Sequence, residues 1–215
     1  MFNNVNTVIF DFDGTIVDSI NVWKKMNYDF FGEFGMKLEE ESINELLNLT
    51  CEETAEYCTK NFNIPFTTNQ IENFWSKKGI EYYDKYVVLK EGVKEFLELL
   101  RKNNFKIGIA TNNIKPIIYH FLKKENIIKH IDFVCTVEDV QNRKPNPEMY
   151  LKVAKILKSD MNECLVFEDS VVGLIAAKRA GMKVCAVFDK YSIDKPDDIK
   201  GMSDYQICSF KDIKI

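Results

Sequence analysis

The chain has 215 residues, 46% hydrophobic and 29% charged, enough to bury one mid-sized core with a smaller unit attached. Its formal net charge of −4 imposes no basic surface, which argues against nucleic acid or an anionic membrane as a partner. No apolar run approaches the roughly 20 residues that cross a bilayer.

The start, Met1 to Asn6, is polar and uncharged and lacks the basic and apolar stretches of a secretory signal. A cytoplasmic location is expected, where the Asn48-Leu49-Thr50 sequon carries no meaning. The first element is an apolar run, Thr7–Phe12, read as a buried strand, and Asp11-Phe12-Asp13-Gly14-Thr15 closes it. From about Asp18 to Val88 no strand pattern follows. Ser19–Phe34, Glu39–Leu49, Glu52–Phe62 and Asn69–Tyr86 instead carry helical periodicity, punctuated at Gly35, Pro65 and Gly79. Asp18-Ser19 reads as a helix cap. Roughly 70 residues are too many for one crossover and too helical for a loop. They are read as a helical bundle inserted after the first strand.

Beyond the insert, helices and strands alternate. In Gly92–Asn103, Val93, Phe96, Leu97, Leu99 and Leu100 form an apolar helical stripe. Strand Lys106–Ala110 runs into Thr111-Asn112-Asn113, then helix Ile114–Lys124 and strand Asp132–Thr136 follow. Arg143-Lys144-Pro145 precedes helix Glu148–Leu157, which Asn146 would cap with Pro147 in the first turn. Strand Cys164–Phe167 runs into Glu168-Asp169-Ser170. Asp169 or Ser170 would cap helix Val171–Ala180, and Gly181 would end it. Val184–Phe188 and Tyr205–Cys208 complete the strands. This alternation predicts an α/β fold with a parallel sheet covered on both faces. The six cysteines form no C-x-x-C pair and share no metal-ligand spacing with His120 or His130. They are expected to be reduced and mostly buried, and His120 to be structural.

Four polar clusters thus follow or precede regular elements. In an open parallel sheet the carboxyl ends of the strands point one way, so clusters distant in sequence converge. Carboxylates at Asp11, Asp13, Glu168 and Asp169 would repel one another without a cation among them. Oxygen ligands beside a phosphate suit magnesium, a lysine adds positive charge, and an aspartate can itself be the nucleophile.

On Asp11-Phe12-Asp13-Gly14-Thr15, Lys144-Pro145-Asn146-Pro147, and Glu168-Asp169-Ser170 followed by Gly173, Ala176, Ala177, Ala180, Gly181 and Met182, the sequence resembles the haloacid dehalogenase superfamily. Within it, the likeness is to the helical-cap subgroup that contains beta-phosphoglucomutase and phosphoglycolate phosphatase, and it covers essentially the whole chain. The resemblance implies a Rossmann-like core, 1–17 and 89–215, with a helical cap, 18–88, hinged near Thr15–Asp18 and Val87–Lys90. It implies a Mg2+-dependent phosphatase acting on a small phosphorylated metabolite; a monomer is expected, although nothing in the sequence points to an oligomeric state. Asp11 would be the nucleophile and Asp13 the general acid and base. Thr111, Asn112 and Lys144 would hold phosphate. Asp11, the Asp13 carbonyl and Asp169 would ligate metal, with Glu168 a ligand or just behind.

A sugar-phosphate mutase and a non-catalytic binder of a phosphorylated ligand are the alternatives. Dehalogenation is disfavoured by Asp13, because a halide leaving group needs no proton. Beta-phosphoglucomutase carries a histidine in its first cap helix where Trp23 stands here, and basic residues on a cap loop. The equivalent stretch, Leu46 to Glu53, contains none, so a second phosphate would meet Glu52 and Glu53. Trp23, with Met26 or Phe30, would form an apolar wall facing the leaving group, or else belong to the core of the cap.

Overall fold

The computed structural model describes residues 1–47, 49, 51–62, 66–190, 194, 198–199 and 201–215, with Cys51 described by its backbone. Asn48 and Thr50 of the sequon, and Pro65, lie outside the described residues. Six parallel strands form one sheet: β1 (Thr7–Phe10), β4 (Lys106–Ala110), β5 (Phe133–Cys135), β6 (Cys164–Glu168), β7 (Lys183–Val187) and β8 (Tyr205–Ile207). Their order is β5-β4-β1-β6-β7-β8. Each of the six expected strands is present, Lys106–Ala110 with the expected bounds and the others differing by one or two residues at the ends.

The strands are apolar throughout because helices cover both faces. Val8, Phe10, Ile107, Ile109, Leu165 and Phe167 point to one side, where α5 (Val93–Lys102) and α6 (Lys115–Lys124) pack. Ile9, Val166 and Val184 point to the other, against α7 (Glu148–Leu157) and α8 (Val171–Arg179). The α5 stripe is as expected at Val93, Phe96, Leu97 and Leu100. At α7 the expected cap is displaced: Pro147 itself is the capping residue, while Asn146 Oδ1 accepts from the Glu148 N–H at 3.0 Å. Ser170 caps α8, accepting from the Gly173 N–H at 3.2 Å, and Gly181 follows in the left-handed region (φ 77°).

The inserted segment contains α1 (Ile20–Glu33), α2 (Glu40–Leu47), α3 (Cys51–Asn61) and α4 (Thr68–Tyr86). These helices bury a cluster of their own around Phe30, Phe31, Ile43 and Trp75. Thr67 and Gln70 start α4 with a reciprocal capping box. One pairing leaves no mark on the sequence. Where the chain leaves and rejoins the core, β2 (Val17–Asp18) and β3 (Val88–Leu89) pair antiparallel, Val17 opposite Leu89 and Asp18 opposite Val88. Two-residue strands are too short to show a period of two.

The thiols of Cys58, Cys135, Cys164, Cys185 and Cys208 are free, and all but Cys208 are buried. Burial pushes Cys58, Cys164 and Cys185 up to about 12, so they behave as small apolar residues. His120 joins α6 to α4 through Asp84, Nε2 to Oδ1 2.9 Å. No helix among the described residues is long and apolar enough to cross a membrane.

Candidate active site

Sheet register brings the first group of residues together. Phe10 pairs with Ile109 on one side and Phe167 on the other, so Asp11 stands level with Glu168, and Thr111 lies one residue beyond Ala110. The Asp11 N–H donates to the Phe167 carbonyl at 2.9 Å, which fixes that level. The carboxylates of Asp11, Glu168 and Asp169 each offer an oxygen within 4.8 Å of the others, and all three are buried.

Lys144 enters from the loop before α7, and its Nζ lies 2.6 Å from both Asp11 Oδ1 and Glu168 Oε1. Tyr150 donates to Glu168 Oε1 at 3.0 Å, and the Ser170 N–H and hydroxyl each donate to Glu168 Oε2 at 3.0 Å. Thr15 donates to Asp169 Oδ1 at 3.0 Å. Burial pushes the Asp11 carboxyl well above its ordinary range, with Lys144 opposing and Glu168 adding to the rise. Asp169 is raised likewise, first by burial and then by the Glu168 and Asp11 charges. Burial alone would pull Lys144 down, but the Asp11 and Glu168 carboxylates hold it protonated.

One ammonium among three carboxylates leaves surplus negative charge when all are ionised. An all-oxygen donor set of this kind fits a hard cation such as magnesium. The backbone is shaped to it. A Cβ at Gly14, which has φ 77°, would collide with the Asp169 carboxylate, and one at Gly173 would collide with that of Glu168. The three carboxylates could therefore hold a metal ion. Among the described side chains, Glu168 belongs to the acidic cluster as fully as Asp11 and Asp169 do.

Asp13 has a different environment. Its Oδ1 accepts from the Ser19 hydroxyl at 2.6 Å, from Trp23 Nε1 at 3.1 Å and from the Tyr83 hydroxyl. Its Oδ2 accepts from Asn113 Nδ2 at 2.9 Å. Burial, then the adjacent Asp13 carboxylate, raises Tyr83 well above the ordinary phenol range, so it serves as a donor. Three of these four partners come from 18–88. None of the four is expected from the sequence in this role, Trp23 being expected only as an apolar wall or part of the core of the cap. Ser19 occupies the expected capping position of α1, but its hydroxyl makes no capping bond and turns to Asp13. Tyr83 follows Trp75 and Gly79 at four-residue spacing on the buried stripe of α4. That pattern signals burial, while the reach of its hydroxyl depends on how α4 leans on the core. Asn113 stood beside two named candidates.

The site opens into a cavity of about 970 Å³, which Thr111, Asn112 and Arg143 also line. Thr111 is buried, and its Oγ1 accepts from the Asn113 N–H at 3.1 Å. Trp23 faces this cavity, whereas Met26 and Phe30 do not; they belong to the apolar cluster of the insert. Of the residues expected in the apolar wall, only Trp23 lines the cavity; Met26 and Phe30 pack instead with Phe31, Ile43 and Trp75. Glu53 does not stand ready to meet a phosphate either. Its Oε2 pairs with Arg143 Nη2 at 2.7 Å, joining α3 to the residue before Lys144.

A family model described as haloacid dehalogenase-like hydrolase matches residues 8–187, and the chain belongs to that family. It is 26% identical over 215 residues to pyrophosphatase PpaX of Halalkalibacterium halodurans, spanning 97% of this chain and 95% of that protein. It is 29% identical over 184 residues to a phosphorylated carbohydrates phosphatase of Thermotoga maritima, spanning 83% of each. The crystal structure of CbbY from Rhodobacter sphaeroides in complex with phosphate shares the fold, with a TM-score of 0.85 at 19% identity over 97% of this chain and 96% of that one.

Proposed function

We propose that this protein is a magnesium-dependent phosphatase that hydrolyses a small phosphomonoester through an aspartyl-phosphate on Asp11. The enzyme is a phosphoric monoester hydrolase. The observation that carries the mechanism is the division of labour between two neighbouring aspartates. Asp11 lies in the buried carboxylate cluster against Lys144, while Asp13, two residues on, lines the cavity and is oriented by four hydrogen-bond donors.

In this reading a carboxylate oxygen of Asp11 attacks phosphorus and the ester P–O bond breaks. Asp13 gives a proton to the departing oxygen, then takes one from water as the water attacks the phosphorus of the aspartyl-phosphate. Inorganic phosphate leaves and Asp11 is restored. Lys144 neutralises charge on the nucleophile and the phosphoryl oxygens, and Thr111 and Asn112 bind those oxygens. Asp11, Asp169 and the Asp13 carbonyl would hold magnesium beside Glu168, and its charge would help bring two anions together.

The same reading divides the chain into a core, 1–17 and 89–215, and a cap, 18–88, that closes over the site and excludes water. The separate apolar cluster of α1–α4 supports that division. Free thiols suit a reducing compartment such as the cytoplasm. Hydrolysis is favoured over mutase chemistry because the residues of 18–88 that line the cavity include no cation among the described residues. A second phosphate would have no clamp there.

The test is phosphate release from a panel of phosphomonoesters with magnesium, comparing wild type with Asp11→Asn. Release abolished by the substitution and by EDTA is expected. Activity above about one percent in Asp11→Asn would rule out its role as nucleophile.

A further inference from the structure

The half of the cavity formed by 18–88 is apolar except at two points. Ile20, Trp23 and Asn27 follow one another at i, i+3 and i+7 along α1 and face the cavity, with Leu46 and Trp75 beside them. Asn27 is only 3% exposed, yet its Oδ1 makes no hydrogen bond among the described residues. Thr54 of α3, also buried, lines the same space. A buried amide without a partner is unfavourable, and asparagine is a poorer helix former than leucine. An apolar side chain would satisfy both fold and helix at position 27. The amide is instead kept where a bound molecule can complete it.

Charge divides the cavity too. Its lining cations, Arg143, Lys144 and Arg179, all come from outside 18–88, and that segment contributes no charged lining residue among the described ones.

We propose that Asn27 and Thr54 form a hydrogen-bonding subsite that selects an uncharged, hydroxyl-bearing leaving group over anionic or purely apolar ones. This rests on the phosphomonoester reading of the site. The C–H faces of such a group pack on Trp23 and Trp75. A hydroxyl both donates and accepts, so it satisfies the Asn27 amide whichever way that amide is turned.

Both tryptophans of the chain line this cavity, so binding can be followed by their fluorescence without turnover. The experiment titrates Asp11→Asn, with magnesium, with erythritol 4-phosphate, n-butyl phosphate and pyrophosphate. Erythritol 4-phosphate should bind at least about tenfold more tightly than either other compound. Adding Asn27→Leu, or separately the nearly isosteric Thr54→Val, should remove most of its advantage over n-butyl phosphate. Circular dichroism would check that each variant folds. Equal affinities, no binding of any compound, tightest binding of pyrophosphate, or a preference surviving both substitutions would overturn the proposal. Absence of phosphate release by the wild type from any phosphomonoester, with the binding preference intact, would instead overturn the phosphatase reading.

Discussion

Lys144 allows three carboxylates to share one pocket, and the cost of burying it explains its surroundings. An unpaired ammonium at this depth would lose its proton or unfold the loop; two carboxylate contacts of 2.6 Å prevent both. Asp13 depends on neighbours in another way. In the proposed mechanism its carboxylate must present one geometry while it first gives and then takes a proton, and Tyr83, Trp23, Ser19 and Asn113 restrict its rotation. Tyr83→Phe removes a donor and little volume, leaving the stacking on Phe12 (6.4 Å between centroids) in place. We expect kcat to fall about tenfold or more, with KM within about twofold, because a misplaced acid slows the chemical steps. An unchanged kcat in steady-state assays would show that Asp13 needs no help from the phenol.

The elements that hold these residues were legible to different degrees. Long stripes such as Val93–Leu100 and unbroken apolar runs such as Lys106–Ala110 identify themselves, because burial on one or both faces leaves a regular mark on the sequence. So did the acidic cluster, since charges ending apolar strands have few structural uses. Pairing of the crossing strands at Val17 and Leu89, and the contacts of Tyr83 and Ser19 with Asp13, left no such mark. They follow from how α1 and α4 sit on the core, and no local pattern encodes that placement.

A turn following β5 shows an element-scale support of the site. Asp139 accepts from the Thr136 N–H and hydroxyl at 3.0 Å and pairs with Lys115 Nζ at 2.7 Å, linking Val137–Asp139 to the start of α6 beside Asn113. Burial pushes its carboxyl up, but the Lys115 and Thr136 hydrogen bonds outweigh this and hold it below the usual range. A depressed folded-state value means stability that is present above the unfolded value, about 3.9, and is lost as pH falls through the folded one. Asp139→Ala should therefore cost about 1 kcal/mol at neutral pH, with the gap to wild type narrowing below about pH 4. Urea unfolding at several pH values measures it, and a gap constant down to pH 2 would contradict the assignment.

At the scale of the whole molecule, cap and core meet through contacts of unequal strength. α4 lies so close to α6 that a Cβ at Gly79 would meet the Ile117 side chain, and Tyr83 packs edge-on against Phe121 at 6.0 Å. Across the cavity, α3 is joined to the loop before Lys144 by the partly exposed Glu53–Arg143 pair. Such pairs contribute about 0–1 kcal/mol and weaken with salt. If that pair favours the closed cap, Glu53→Gln should raise KM up to about fivefold with kcat little changed, and should flatten the dependence of KM on ionic strength. Identical salt profiles for the two proteins would show that the pair contributes nothing to closure.

The short β2–β3 ribbon has a consequence for how such a protein can vary. Because Val17 and Leu89 face each other across it, the chain departs and returns at nearly the same point. To the sheet, the four helices amount to the turn of a hairpin. The loop-closure cost of a longer or shorter turn grows only slowly with its length, so one set of helices can be exchanged for another without disturbing the register that aligns Asp11 with Glu168. The register of the sheet and the helices that line the far side of the cavity thus lie in separable stretches of one chain, joined at the site by Ser19, Trp23 and Tyr83, whose contacts with Asp13 any exchanged set of helices would have to reproduce.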